Sequence, residues 1–243
     1  MHLEFAPVEE EPALAIHRLH DVPAVIPVKS LAEAKSRLPE AIPQYRRKQL
    51  VLAMLEDVTS ALQDSGALSA VVVVSPDSSI AGTCRGLGAE FVLDQGSGLN
   101  QAVTQASAQV CSSSCPEALI VFPVDIPLLK PKTVADVVST LDDDALPLVV
   151  AARSKDGGTN MLLRRPPEVI PASFGTSSFD AHRESAERAE VRFITFESPD
   201  LALDIDTEAD LRKLLECGEG TRAYSVAKGL LRVTRNERTP NRR

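Results

Sequence analysis

Short, uninterrupted apolar runs alternate with helix-like segments along most of the chain, and this alternation constrains the fold more than any other feature. The runs typical of buried strands are Ala24–Val28, Ala70–Ser75, Glu90–Leu93, Ala118–Val124, Leu148–Ala152, Met161–Leu163 and Val191–Phe196. The segments with helical spacing are Tyr45–Ser65, Leu99–Cys111, Pro131–Leu141, Ser178–Ala189 and Thr207–Glu216. Because the strands are continuously apolar, we predict an α/β fold with a mostly parallel central sheet and helices on both faces.

The length of 243 residues suits one α/β domain, which we place at residues 22–231. Residues 1–21 form an acidic leader, and residues 232–243 form a basic tail with five arginines. Neither end offers apolar periodicity, so both are predicted to be flexible. The arginines could attract an anionic partner, and a solvated terminus is the simpler interpretation.

Charge and hydropathy exclude several classes of protein. A net charge of −8 argues against a general nucleic-acid binder. No apolar run approaches the roughly 20 residues that span a bilayer, and the acidic N-terminus lacks the pattern of a signal peptide. The four cysteines are too few and too scattered for a disulfide framework. We therefore expect a cytoplasmic protein with no membrane or nucleic-acid partner.

Three cations follow the first predicted strand. Lys29, Lys35 and Arg37 lie within nine residues of one another, and both residue types bind phosphate oxygens. Because ligands of parallel sheets bind beyond the carboxyl ends of the strands, this loop is a candidate triphosphate site. The glycines of a Walker loop are absent from it. A solvated basic loop fits the same pattern.

Three aspartates also follow predicted strands. Asp125 ends a buried strand, and Asp204 and Asp206 lie two residues apart in LDIDT. Burying a carboxylate costs free energy unless a metal or a donor compensates for it, and residues two apart on an extended segment point to the same side. The three could hold Mg²⁺ through oxygen ligands. The alternatives are a turn at Asp125 and capping of the next helix by Asp206 or Thr207.

Two glycine-containing segments are candidate anion sites. In DGGTN (residues 156–160), paired glycines can expose N–H groups and Thr159 adds a hydroxyl, although a hairpin turn fits as well. In FGTSS (residues 174–178), glycine and hydroxyl residues precede a predicted helix whose N-terminus favours anions. Ser177 or Ser178 could instead be a simple N-cap. His182, within that helix, is best explained by packing.

Together these segments resemble the CofC/FbiD family, the guanylyltransferases of coenzyme F-420 biosynthesis. The resemblance runs from about Val22 to Leu231 and rests on motifs in the family's order. These are VIPVKSLAEAKSRL, VVVVSPD, GLNQAV, VDIPLL, DGGTN, FGTSSFDAHRESA and LDIDTEADL. The resemblance implies a single-domain nucleotidyltransferase fold of the nucleotide-diphospho-sugar transferase-like type.

The resemblance further implies transfer of GMP from GTP to a three-carbon phospho-acid, with release of pyrophosphate. We expect phosphoenolpyruvate as the acceptor, then 2-phospho-L-lactate, with 3-phospho-D-glycerate possible. The product would pass to the deazaflavin-accepting transferase of the same pathway. The protein would act as a monomer or a homodimer.

Site residues follow from the same resemblance, by their positions in the motifs. The implied catalytic residues are Lys29, Asp125, Asp204 and Asp206, and the three aspartates would bind Mg²⁺. The implied phospho-acid ligands are Lys29, Thr159, Gly175 and Ser178. The implied nucleotide-binding residues are Lys35, Arg37, Leu99 and Asn100.

Two other functions fit parts of the pattern. Asp204-Ile-Asp206 imitates the D-x-D metal motif of nucleotide-sugar glycosyltransferases of the GT-A-like type. The three cations after the first strand favour a triphosphate over a sugar nucleotide. A non-catalytic nucleotide-binding module that regulates a partner is the second alternative. Retention of Lys29 and all three aspartates argues against it.

Overall fold

The computed structural model describes residues 21–33, 35–95, 98–141 and 146–237, with side chains up to residue 231. In this part of the chain, seven strands form one sheet in the order β3-β2-β1-β4-β6-β5-β7. The strands are β1 (Ala24–Pro27), β2 (Val71–Ser75), β3 (Glu90–Leu93), β4 (Leu119–Val121), β5 (Leu148–Arg153), β6 (Thr159–Arg165) and β7 (Arg192–Thr195). The helices are α1 (Gln44–Asp64), α2 (Ala81–Gly86), α3 (Leu99–Ser114), α4 (Pro131–Val138), α5 (Ser178–Arg188), α6 (Pro199–Ala202), α7 (Glu208–Cys217) and α8 (Arg222–Glu237).

Six of these strands run in the same direction, and β6 is reversed. Parallel pairing joins β1 to β2 and β4, β2 to β3, and β5 to β7. β6 lies antiparallel between β4 and β5. The predicted mostly parallel α/β sheet is therefore confirmed, and the carboxyl ends of six strands share one edge.

Helices cover both faces of the sheet, as predicted. Ile26 of β1 belongs to a buried cluster that includes Leu50 of α1 and Leu211 of α7. Val25, the preceding residue, belongs to a second cluster with Val103 of α3. Neighbouring residues of a strand point to opposite faces, so each β1 side chain supports a different helical layer. Full burial of such an aliphatic side chain contributes about 1.5–3 kcal/mol.

α8 is not predicted from the sequence. Its residues Ala223 and Leu230 are buried, and the Asp57 carboxylate of α1 accepts the N–H groups of Arg222 and Ala223, both at 2.8 Å. α8 continues to Glu237, so the domain boundary expected at residue 231 falls inside a helix. Residues 1–20 and 238–243, which make up most of the expected leader and part of the tail, lie outside the described residues.

Residues 154–158 join the antiparallel strands β5 and β6, so the hairpin interpretation of DGGTN is confirmed. The pairing is irregular, because Ala152 pairs with Met161 while Arg153 pairs with Thr159. Asn160 is therefore one extra residue on β6, a β-bulge. Gly158 is closely packed in the turn, since a Cβ atom there would lie 2.9 Å from Ser154 Oγ.

Candidate active site

Most of the predicted site residues meet at the carboxyl edge of the sheet. A cavity of about 340 Å³ there is lined by fifteen residues, among them Lys29, Lys35, Arg37, Leu99, Asp125, Phe174 and Asp206. The segment that carries Asp206 is held to the turn that follows β4, because Ile205 N donates to the Asp125 carbonyl at 2.9 Å. The topology thus brings together charges that lie far apart in the sequence.

Lys35 lies at the centre of this cluster. Its Nζ donates to Asp125 Oδ2 and to Asp206 Oδ1, both at 2.9 Å, and the lysine side chain is only 7% exposed. Burial alone would lower the pKa of this ammonium, but the two carboxylates outweigh burial and raise its pKa above the ordinary value. Lys35 adopts a left-handed backbone conformation with φ of 50°, which is uncommon for a residue other than glycine.

Two arginines lie near Lys35: Arg37 contacts a carboxylate, and Arg47 contacts the backbone of the loop. Arg37 Nη1 lies 3.4 Å from Asp206 Oδ2, and its side chain is 73% exposed. Arg47 of α1, which the sequence analysis does not single out, donates to the backbone carbonyls of Lys35, Pro39 and Ile42 at 3.0–3.3 Å. Arg47 therefore holds the loop that presents Lys35.

Asp206 is held in its ionised form by these cations. Burial would raise the pKa of Asp206, yet the charges of Lys35 and Arg37 together lower it below the ordinary value. No ion pair to Lys29 is found within the described residues, and Lys29 is exposed at the cavity wall. The cavity is therefore lined by the Lys35 ammonium, which is bound between the Asp125 and Asp206 carboxylates, and by two exposed cations, Lys29 and Arg37.

Asp204 pairs with a different cation from Asp125 and Asp206. Its carboxylate lies 3.8 Å from Lys155 Nζ, and among the described residues its buried Oδ1 has no hydrogen-bond partner. Burial raises the pKa of Asp204, against the opposing charge of Lys155. In the described part of the chain, no group of three His, Cys, Asp or Glu side chains is arranged to hold a metal ion. Asp125 and Asp206 lie near enough for their charges to add to the raised pKa of Asp204, and binding of Mg²⁺ by all three aspartates stays a prediction.

Asp125 and Asp206 by themselves fit a magnesium ion. An oxygen of each lies 2.9 Å from the same ammonium nitrogen, so the two carboxylates already converge on one cation. Magnesium in phosphoryl-transfer sites is commonly held by one or two carboxylates together with substrate phosphates.

The start of α7 explains why residues 204–207 have a defined conformation. Thr207 is the N-cap, and its hydroxyl accepts Asp210 N while Asp210 Oδ2 accepts Thr207 N, which forms a capping box. The interpretation of Thr207 as a cap is confirmed. Asp210 also accepts a hydrogen bond from Lys155. The sequence analysis misses both Asp210 and Lys155, although the Thr207-x-x-Asp210 spacing is a signal for the capping box.

Two predicted phospho-acid ligands, Thr159 and Ser178, are buried beside the cavity rather than lining it. Ser178 Oγ donates to Thr159 Oγ1 at 3.0 Å, and Thr159 Oγ1 lies 3.1 Å from His182 Nδ1. Gly175, with φ of 140°, is exposed and adjoins Phe174, which lines the cavity. The interpretation of His182 as a packed side chain fits its complete burial.

Of the two predicted nucleotide-binding residues of α3, Leu99 lies at the junction between two cavities. Leu99 lines the first cavity and a second one of about 480 Å³, which also includes Lys29 and Asp94. Asn100 donates to the Phe174 carbonyl at 3.1 Å and accepts Phe174 N at 2.7 Å, so its role in the structure is to hold that loop. Asp94, which the sequence analysis does not single out, is buried at the end of β3.

Comparison with known proteins assigns the chain to a family. Residues 22–243 match the family described as "Guanylyl transferase CofC like". The chain belongs to this family. It is therefore a nucleotidyltransferase, as predicted, and its relatives share most of its length.

Two members of the CofC-like family illustrate the similarity. The phosphoenolpyruvate guanylyltransferase of Rubrobacter xylanophilus is 38% identical over 195 residues, which cover 80% of this chain and 94% of the relative. The 2-phospho-L-lactate guanylyltransferase of Methanocaldococcus fervens is 34% identical over 207 residues, which cover 85% and 90%. The relatives thus differ in the acceptor that their names give.

Solved structures confirm the nucleotide-diphospho-sugar transferase-like fold of this CofC-like chain. A crystal structure from Desulfovibrio desulfuricans, assigned to the nucleotide-diphospho-sugar transferases, gives a TM-score of 0.71 at 17% identity and covers 88% of this chain and 97% of that one. CMP:2-keto-3-deoxy-manno-octonic acid synthetase in complex with CTP gives a TM-score of 0.56 at 16% identity and covers 86% of this chain and 99% of that one. Among the described residues, no helix is both long enough and apolar enough to cross a bilayer.

Proposed function

We propose that this protein transfers GMP from GTP to a three-carbon phospho-acid and releases pyrophosphate. The observation that carries the proposal is the single cavity in which Asp125 and Asp206 converge beside Lys29, Lys35 and Arg37. The two reactants are anionic, so the site needs cations that neutralise their phosphates. It also needs carboxylates that can hold a metal ion. Relatives named for this reaction support the same conclusion.

Phosphoenolpyruvate is the acceptor that we favour, followed by 2-phospho-L-lactate, with 3-phospho-D-glycerate third. The Rubrobacter relative, at 38% identity, is named for phosphoenolpyruvate. Lys29 would bind the phosphate of the acid, and Thr159, Gly175 and Ser178 would bind it from the adjoining loops. Within coenzyme F-420 biosynthesis, the product would then be consumed by a deazaflavin-accepting transferase.

The second cavity suits the nucleoside of GTP. Its wall contains Lys29, Leu99 and the buried carboxylate of Asp94. A guanine base offers N–H donors that a carboxylate can accept. Lys29 and Leu99 line both cavities and so mark the border between them. Lys35 and Arg37 would bind the triphosphate at this border.

Asp125 and Asp206 would hold Mg²⁺, with Asp204 as the remaining predicted ligand. When bound, the ion would supply positive charge that neutralises phosphate oxygens and stabilises the leaving group. Lys35 would then exchange its two carboxylate partners for phosphate oxygens of GTP. Because an ammonium group binds phosphate as a point charge, this exchange needs no special orientation of the lysine.

The reaction itself is an in-line displacement. A phosphate oxygen of the acceptor forms a bond to the α-phosphorus of GTP, and the bond from that phosphorus to the oxygen of the β-phosphate breaks. The electron pair leaves with pyrophosphate. A phosphate oxygen is already ionised at neutral pH, so no general base is required. Positioning and neutralisation of charge would therefore provide most of the rate enhancement.

The test is release of pyrophosphate from GTP and Mg²⁺ with each of the three phospho-acids in parallel. The deazaflavin-accepting transferase is added to consume product, and ATP replaces GTP in a control series. We expect release with GTP and phosphoenolpyruvate. A sugar-transfer enzyme would transfer from a sugar nucleotide without pyrophosphate, and a regulatory module would be silent, so either result would overturn the proposal.

A further inference from the structure

Three buried polar side chains form a short hydrogen-bonded chain beside the cavity. Ser178 Oγ donates to Thr159 Oγ1 at 3.0 Å, and Thr159 Oγ1 lies 3.1 Å from His182 Nδ1. All three residues are at most 6% exposed. Hydroxyl and imidazole groups can both donate and accept, so the direction of these bonds depends on which ring nitrogen of His182 carries the proton.

The other ring nitrogen decides this question. Ser173 N donates to His182 Nε2 at 2.9 Å, so Nε2 is an acceptor and carries no proton. Burial, and to a lesser extent the charge of Arg164, lowers the pKa of His182 to about 4, which keeps the ring neutral at neutral pH. A neutral imidazole has one N–H, and it must therefore be on Nδ1. His182 donates to Thr159.

This tautomer leaves one hydroxyl proton of Thr159 and Ser178 for an outside acceptor. Thr159 Oγ1 accepts the bond from His182, and the bond between Ser178 and Thr159 uses one hydroxyl proton, whichever of the two donates. Among the described residues, no recorded bond uses the second hydroxyl proton. With the opposite tautomer, Thr159 would donate to Nδ1, Ser178 would donate to Thr159, and no proton would be left.

We infer that His182 is a positioning residue that leaves the Thr159–Ser178 pair one hydroxyl proton to donate to an anionic oxygen of the bound phospho-acid. The inference rests on the proposed function and adds to it the residue that makes this hydroxyl pair a donor. A hydroxyl pair with a proton to donate favours an anionic oxygen over an N–H group.

The surroundings place this donor next to the substrate cavity. Thr159 follows the turn in which the Cβ position of Gly158 lies 3.8 Å from the Gly175 carbonyl oxygen. Phe174, the neighbour of Gly175, lines the cavity and contacts the His182 ring edge-on at 5.3 Å between centroids. The loop of residues 173–175 thus lies between the imidazole and the cavity, and its backbone sets the tautomer.

The tautomer is tested first, on the unaltered protein, by ¹⁵N NMR of the histidine rings. The His182 signal is identified as the one that does not titrate between about pH 5 and 8, because its pKa is about 4. We expect the Nδ1–H tautomer. The Nε2–H tautomer would overturn the inference, whether or not the protein releases pyrophosphate.

Two substitutions of His182 then test its Nδ1 donor and its Nε2 acceptor separately. His182→Asn retains an amide N–H near the Nδ1 position, whereas His182→Gln retains an acceptor near the Nε2 position for Ser173. We expect His182→Gln to raise the KM for the phospho-acid about ten- to a hundredfold, the loss of one hydrogen bond to a charged group. His182→Asn should stay within about threefold of the unaltered protein, with the KM for GTP unchanged in both variants.

The same pair is compared in a Thr159→Val background. If His182 acts through the threonine hydroxyl, the difference between the asparagine and glutamine variants disappears there. A difference that persists would mean that His182 acts only by packing, and an equal KM in both single variants would also refute the inference. Silence of the unaltered protein with every acid would instead count against the proposed function.

Discussion

Replacement of Asp206 by asparagine removes one of the two carboxylates that converge on Lys35. The Asp206→Asn variant keeps the shape of the side chain but loses the ion pairs to Lys35 at 2.9 Å and Arg37 at 3.4 Å. Lys35 remains paired with Asp125, and Asp206 is 30% exposed. The cost should therefore lie between that of an exposed pair and that of a broken buried pair, about 1–2 kcal/mol of unfolding free energy.

Activity should fall far more than stability. Loss of a preorganised charged group at a phosphoryl-transfer centre costs about a hundredfold or more in turnover, roughly 3 kcal/mol. We expect pyrophosphate release to fall by at least that factor, while the melting temperature falls by only about 2–8 °C. Asp136→Asn is the matched control, because Asp136 pairs with Lys132 on the exposed side of α4. Turnover of Asp206→Asn within threefold of the control would refute the metal assignment.

Three further predictions concern stability. The pKa of Asp206 is lowered in the folded protein, so its charge stabilises the fold fully above about pH 4, and this stabilisation is lost as the pH falls further. In urea unfolding between pH 7 and pH 2, the unfolding free energy should therefore fall less for Asp206→Asn than for the unaltered protein. Burial raises the pKa of Asp204, so its charged form is unfavourable in the folded protein; Asp204→Asn should therefore raise the unfolding free energy at pH 7, and a decrease would contradict this. Asp57→Ala should cost about 1–2 kcal/mol in the same assay, because Asp57 accepts the first N–H groups of α8, whereas Asp64→Ala at the exposed end of α1 should be neutral.

The sequence predicts the sheet well because periodicity is a local property. Each predicted strand is present within a few residues of its expected bounds, and parallel strands necessarily bring their carboxyl ends to one edge. That rule alone places Lys29 and Asp125 in the same cavity. The neighbouring helix α8 is missed because two of its buried contacts are made by small residues, Ala223 and Ala227, which give a weak apolar signal.

The pairing of charges is what the sequence cannot predict. Spacing shows that Lys35 follows β1, but its partners Asp125 and Asp206 are 90 and 171 residues away. Whether a lysine faces solvent or a carboxylate depends on packing of loops that have no periodicity. For the same reason, two aspartates in LDIDT, expected to act together, face different cations, Lys35 and Lys155.

The extra residue at Asn160 changes which face of the sheet the first side chain of β6 occupies. Met161 and Leu163 point toward the layer that contains α1, and Leu162 points toward α3 and α5. Strict alternation would send Thr159 to the same side as Met161. The bulge shifts the alternation of side chains by one residue, so Thr159 instead contacts Ser178 and His182 of α5. The number of residues at this point in the chain, rather than the identity of any side chain, decides which helical layer receives the threonine hydroxyl.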